Sequence, residues 1–191
     1  MSELNLAIDT ADVDLIERSL AGLPHKIAVA ERAAVGKTLD TMRGRIRKSL
    51  AAKIGIRQRV IGTGKRGFIR LVRTPSNDEP SGVLRIYPKR IPLDRLHPRR
   101  NPGGLTGKVF GGSADFPHAF LTRMKGKSYR FAMVRRGAGR LPIKRVMGTD
   151  LVTALDRDNG LSSAIQEARR VLHTNVESQI SRFLKARASR V

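Results

Sequence analysis

The sequence predicts an α+β fold: a small, mostly antiparallel sheet flanked by a long N-terminal helix and a C-terminal amphipathic helix, with a long Pro/Gly loop. Three observations predict it. Val35, Leu39, Met42, Ile46 and Leu50 recur at intervals of four, three, four and four residues, the spacing of one helical stripe. Five runs between residues 67 and 147 alternate apolar with basic side chains, as half-buried strands do. Ile165, Ala168, Leu172, Val176, Ile180 and Phe183 again keep helical spacing.

In chain order, residues 1–23 are expected to form a loosely held acidic arm that enters a short helix at "ADVDLIERSLAG", with Gly22 as its stop. Residues 24–191 are expected to form a single domain, about what a chain of 191 residues supports. Pro24 suits the first position of a helix over 24–53. Gly36 and Gly44 inside it each cost about 1 kcal/mol relative to Ala unless they mark close packing. "GIRQRVIG" then reads as a separate helical turn bounded by Gly55 and Gly62.

The sheet region, 67–147, contains "GFIRLVR", "GVLRIYP", "HAFLTRM", "SYRFAMVRR" and "LPIKRVM". In "SYRFAMV", Tyr129, Phe131 and Met133 share one face and Arg130 the other, the pattern of a sheet covered on one side and wet on the other. "KGKS" and "RGAGR" carry hairpin-turn chemistry. Residues 88–117 are dense in Pro and Gly and too long for an ordinary connector, so they are expected to be a functional loop or one disordered when alone. The C-terminus, 150–188, is expected to be helical: a short helix in "TDLVTALDRDNG" ended by Asn159 and Gly160, then a longer one from Ser162 or Ser163 with Gln166 placed for a capping box.

Charge is the most informative quantity. Lys and Arg number 38 against 16 Asp and Glu, a formal net charge of +22. The surplus sits in the middle: residues 1–23 hold one basic and five acidic side chains, residues 24–150 hold 30 and seven, and residues 151–191 hold seven and four. Between Asp40 and Asp78 there are eleven basic residues and no acid. Self-repulsion on that scale destabilises a compact state unless something anionic lies nearby, and it exceeds what solubility needs. Nucleic-acid backbone and an acidic protein surface are the two candidates. Two groups are assigned to that partner: Arg43, Arg45, Arg47, Lys48, Arg57 and Arg59, and then Arg130, Arg135, Arg136, Arg140, Lys144 and Arg145. Ile165, Leu172, Val176, Ile180 and Phe183 are expected to pack a helix against the sheet or a neighbouring subunit.

Other chemistry finds little support. With no cysteine there are no disulfides, thiolate metal sites or thiol nucleophiles. Aromatics are 4% and Trp is absent, which disfavours base stacking as the binding mode. "ERAAVGKT" ends like a phosphate-binding loop, but Glu31 occupies the position of the first glycine and no strand precedes it, so the helix reading takes precedence. "GTGKRG" at 62–67 has the glycines of an anion nest without a strand-loop-helix frame. His25, His97, His118 and His173 are scattered, as are Glu31, Asp40, Asp78, Glu79, Asp94, Asp115 and Asp150, and neither set has metal-ligand spacing. No residue is assigned a catalytic, cofactor-binding or metal-binding role, and no cofactor is expected. No helix-turn-helix, zinc-finger or RNP signature points to base readout. No signal peptide and no membrane span is expected.

Residues 116–146, "FPHAFLTRMKGKSYRFAMVRRGAGRLPIKRV", resemble the corresponding part of the prophage minor tail protein Z family, the tail completion proteins of long-tailed bacteriophages. The likeness lies in "PHAF" with Pro117, Ala119 and Phe120, the Gly/Lys turn, the strand from Tyr129 to Val134, and the "RLPI" of Arg140 to Ile143. The resemblance implies a non-enzymatic virion protein of the tail or neck, assembled in the host cytoplasm. It also implies a homo-oligomeric ring, a hexamer or dodecamer, that joins the tail to the filled head. The implied partners are the tail terminator, tail tube or head-tail connector proteins and the end of the packaged DNA. The alternative is a free RNA- or DNA-binding protein making non-specific phosphate contacts.

Overall fold

The computed structural model describes residues 2–6, 10–20, 24–62, 67–109, 112–137, 139–157 and 159–188, the side chains of 2–6, 10, 24, 25 and 187 excepted. The fold is α+β, with a helical layer around one long helix and four small antiparallel sheets. Helix α1 spans Thr10–Ser19, α2 Pro24–Ile54, α3 Leu151–Asp156 and α4 Gly160–Ala188. The stripe Val35, Leu39, Met42, Ile46 and Leu50 is fully buried, each large side chain contributing on the order of 1.5–3 kcal/mol. "GIRQRVIG" forms a 3₁₀ turn over Gln58–Val60.

Helix α4 runs antiparallel to α2. Lys26 lies over the Phe183 ring, Asn175 Nδ2 donates to Thr38 Oγ1 at 2.9 Å, and Arg45 pairs with Glu167, so the α4 numbers fall as the α2 numbers rise. Ala168, Leu172, Val176 and Ile180 are buried in this contact and Phe183 packs at its edge. The apolar face of α4 thus meets chiefly another helix, not the sheet. Ile165 departs from the expected stripe: it is 37% exposed, and Ala164 is buried instead. The helix begins at Gly160, ahead of the expected serines, because Asn159 turns left-handed (φ 52°) and its carbonyl already accepts from the Ser163 N–H at 3.0 Å.

Strands β1 (Ser2–Leu6), β2 (Ile69–Arg73) and β3 (Gly82–Ile86) form a sheet in the order β1-β3-β2. The expected loose arm is therefore ordered: residues 2–6 pair antiparallel along the whole of β3, and α1 packs on α2 and α4. The expected stop at Gly22 lies outside the described residues, as does most of "GTGKRG". Gly82, Leu84 and Ile86 turn inward, and a Cβ on Gly82 would lie 2.3 Å from Leu39 Cδ1, so β3 rests on the α2 stripe.

The Pro/Gly segment 88–117 is likewise not a loop. It holds β4 (Arg90–Pro92), a 3₁₀ turn (Leu93–Arg95), β5 (Arg99–Asn101), β6 (Gly104–Val109) and β7 (Gly112–Pro117). Strands β5, β6 and β7 make a meander, while β4 pairs with β11 (Met147–Asp150). Gly104 and Gly107 belong to β6: a Cβ on Gly107 would stand 2.3 Å from Leu93 Cδ1, and one on Gly104 2.3 Å from the Phe116 carbonyl oxygen.

Strands β8 (Phe120–Arg123), β9 (Arg130–Arg135) and β10 (Ile143–Arg145) form the last sheet, with Gly126 at φ 74° in the β8–β9 turn. One face of β9 was expected to be wet, but Phe131, Ala132 and Met133 are buried in succession at 6%, 0% and 3% exposure. Ala132 faces the main core; on the other face Arg145 stacks on Phe131 and Arg95 on Tyr129. Val146 ties this sheet to the rest, donating to the Ala132 carbonyl at 2.8 Å and accepting from the Leu93 N–H at 3.0 Å. Among the described residues no helix is long and apolar enough to cross a membrane.

Candidate functional site

The first basic group does not form one patch. Residues two apart on a helix point about 200° apart, so Arg43, Arg45 and Arg47 cannot share a face. Arg43 pairs with Asp40 at 2.8 Å, and Arg45 pairs with Glu167 of α4. Arg47 is half-buried, with a buried Nε lacking a hydrogen-bond partner. Lys48, Arg57 and Arg59 are exposed and form no ion pair among the described residues.

The second group lies on β9, β10 and their connection, and one member is withdrawn from any partner. Arg145 is held by Asp94, and this hydrogen bond, opposed by partial burial and aided by the carboxylate charge and by Tyr129, raises its pKa above the usual arginine value. Arg130, Arg135, Arg136, Arg140 and Lys144 are exposed and without ion pairs among the described residues. Arg130 lies directly opposite Arg123 across β8 and β9. Like charges so placed are destabilising until an anion arrives. Beside Arg135 and Arg136, a cavity of about 640 Å³ is walled by His118, Phe120 and Val134, with Arg135 over the Phe120 ring. Met124, Tyr129 and Leu141 are exposed large apolar side chains on the same hairpins, Leu141 at 72%.

A third basic surface escaped the sequence reading. His97, Arg99, Arg100 and Lys108 line a cleft of about 590 Å³ together with Thr106, Gly107 and Ser113. All four are exposed and none is ion-paired among the described residues. Alternation in "GLTGKV", where Leu105 and Gly107 are buried and Lys108 is exposed, was the available signal; glycine in an apolar position concealed it.

The other motifs resolve simply. "ERAAVGKT" is helix interior, with Thr38 donating to the Ala34 carbonyl at 2.8 Å. His173 lies 2.9 Å from Asp12 and 3.4 Å from Glu177, fastening α1 to α4. Among the described residues no group of three or more His, Asp or Glu side chains is arranged to hold a metal ion. Comparison with protein-family models, curated proteins and solved structures returned no match.

Proposed function

We propose that the chain is a structural subunit of a tailed-phage particle, a tail completion or neck component that acts in the virion as a ring of identical copies joining tail to filled head. The observation that carries this reading is the hairpin surface of β8, β9 and β10. It presents Arg130, Arg136, Arg140 and Lys144 without acidic partners among the described residues, and the same hairpins expose Met124, Tyr129 and Leu141. Arginine next to exposed apolar anchors is the composition of a protein interface, and unpaired charge there favours an acidic neighbour. The same stretch carries the likeness to the prophage minor tail protein Z family. The hexamer or dodecamer that this likeness implies, and the tail terminator, tail tube or connector as neighbours, belong to the same proposal.

The test is charge reversal at Arg130, Arg136 and Arg140 together. The variant should fold normally, while tails completed with it fail to join filled heads in extracts; full joining would sink the reading. The pair Arg45 and Arg47 is unsuitable, because Arg45 bridges α2 to α4 and reversal would set two carboxylates against each other. A free RNA- or DNA-binding protein is the second reading, favoured by the cleft at Arg99, Arg100 and Lys108.

A further inference from the structure

We propose that the cleft on the β5–β6–β7 sheet, lined by His97, Arg99, Arg100 and Lys108, binds the phosphodiester backbone of a nucleic acid without regard to sequence. It differs from the surface assigned to head-tail joining, and the inference does not rest on that assignment.

Charge and shape argue together. His97, Arg99, Arg100 and Lys108 all line a concavity of about 590 Å³. Asp115, opposite Thr106 on that face, is tied to the sheet, accepting from Thr106 Oγ1 at 2.5 Å and from Asn101 Nδ2 at 3.1 Å, and it retains one negative charge against the cations of the cleft and its surroundings. Thr106 and Ser113 add hydroxyls to the wall, that of Ser113 being free to donate among the described bonds. His97 holds a left-handed backbone (φ 50°), an uncommon conformation that is concentrated at binding sites.

Exposed basic residues also lie beyond the sheet. A Cβ on Gly55 would lie 3.6 Å from Lys108 Cδ, so the lysine stem runs alongside the end of α2, next to the turn that carries exposed Arg57 and Arg59. A series of cations of that extent matches a polymer of phosphates better than one small anion.

Composition separates nucleic acid from an acidic protein. Among the described residues the cleft wall holds no Phe, Tyr or large aliphatic side chain, whereas protein interfaces depend on such anchors at their centre. Backbone phosphate requires only clustered Arg and Lys, because the gain comes from counterion release.

The experiment measures fluorescence anisotropy of a labelled duplex and a labelled single strand, each about 20 nucleotides long, between about 50 and 200 mM salt. Arg99→Ala, Arg100→Ala and Lys108→Ala combined should lower the magnitude of the log K against log salt slope by about 2 to 3 and weaken binding at least about tenfold. Arg130→Ala, Arg136→Ala and Arg140→Ala combined should change the slope less. An unchanged slope in the cleft variant, or an equal change in the hairpin variant, overturns the proposal. Inorganic phosphate or a nucleoside triphosphate competing at micromolar concentration would mark a small-anion pocket, and poly-glutamate binding as tightly as DNA would mark an acidic-protein site; either outcome overturns it. Acetylation footprinting of the wild-type chain decides independently of whether the variants fold: DNA should protect Lys108, and full labelling of Lys108 in the complex rejects the site.

Discussion

Arg145 grips Asp94 with both arms of its fork, donating from Nε and Nη2 to the two carboxylate oxygens at 2.9 and 2.7 Å, fifty-one residues apart in sequence. The carboxylate is 4% exposed and the guanidinium 35%, so the two ends of the bridge are not equivalent. Arg145→Ala leaves the buried carboxylate with the more distant Arg95, 3.9 Å away and without a hydrogen bond to it, and should cost about 2–3 kcal/mol. Asp94→Ala leaves an arginine that can turn to solvent and should cost about 1–2 kcal/mol. Urea denaturation of the two variants checks this order; equal losses would show that the bridge acts symmetrically.

Two glycines should respond with opposite sign. Gly104 has φ 156°, and a Cβ there would lie 2.3 Å from a backbone oxygen, so Gly104→Ala should cost about 2–3 kcal/mol and loosen the β6–β7 pairing. Gly44 has nothing within 4 Å of a Cβ, so Gly44→Ala should stabilise by about 0.5–1 kcal/mol. Thermal melting of both variants reads the contrast.

Asp150 caps α3, its carboxylate accepting from the Thr153 N–H and hydroxyl at 2.8 Å each. Burial pushes its pKa up, but the hydrogen bonds from Thr153, Val152 and its own backbone together outweigh that and hold it below the usual value. A depressed folded-state pKa stabilises above the unfolded value and is lost as pH falls through the folded one. Asp150→Ala should therefore cost about 1 kcal/mol at neutral pH, a gap that narrows as pH drops below about 4. Denaturation midpoints of the pair, measured from neutral to acid pH, should converge.

Thr38 and Asn175 meet in the buried α2–α4 seam. Thr38→Val removes the acceptor and leaves the Asn175 amide stranded, at a cost of about 1–3 kcal/mol. Adding Asn175→Leu should recover part of the loss, since two apolar groups need no partner. A double-mutant cycle by chemical denaturation measures the coupling, and strict additivity would deny it.

The helices were legible because their periodicity is carried by residues whose type alone signals burial: Leu39, Met42 and Ile46 in α2, Leu172, Val176 and Ile180 in α4. The β8–β9–β10 strands were legible for the same reason. Strands β5 to β7 were not, since Gly104 and Gly107 occupy positions that pattern reading reserves for apolar side chains. Nor was β1, where the alternation of Leu4 and Leu6 with Glu3 and Asn5 is too short to mark a strand without the edge of β3 that it pairs with.

Fold class, helical stripes, hairpins and the excess of positive charge follow from local spacing or from sums over residue types, and so can be read along the chain. Which cations remain available depends instead on how distant segments pack. Arg45 and Arg145 are absorbed by Glu167 and Asp94, partners 122 and 51 residues away, while Arg99, Arg100 and Lys108 are gathered into a cleft. Pairing is a matter of distance in space, and no count along the chain contains it.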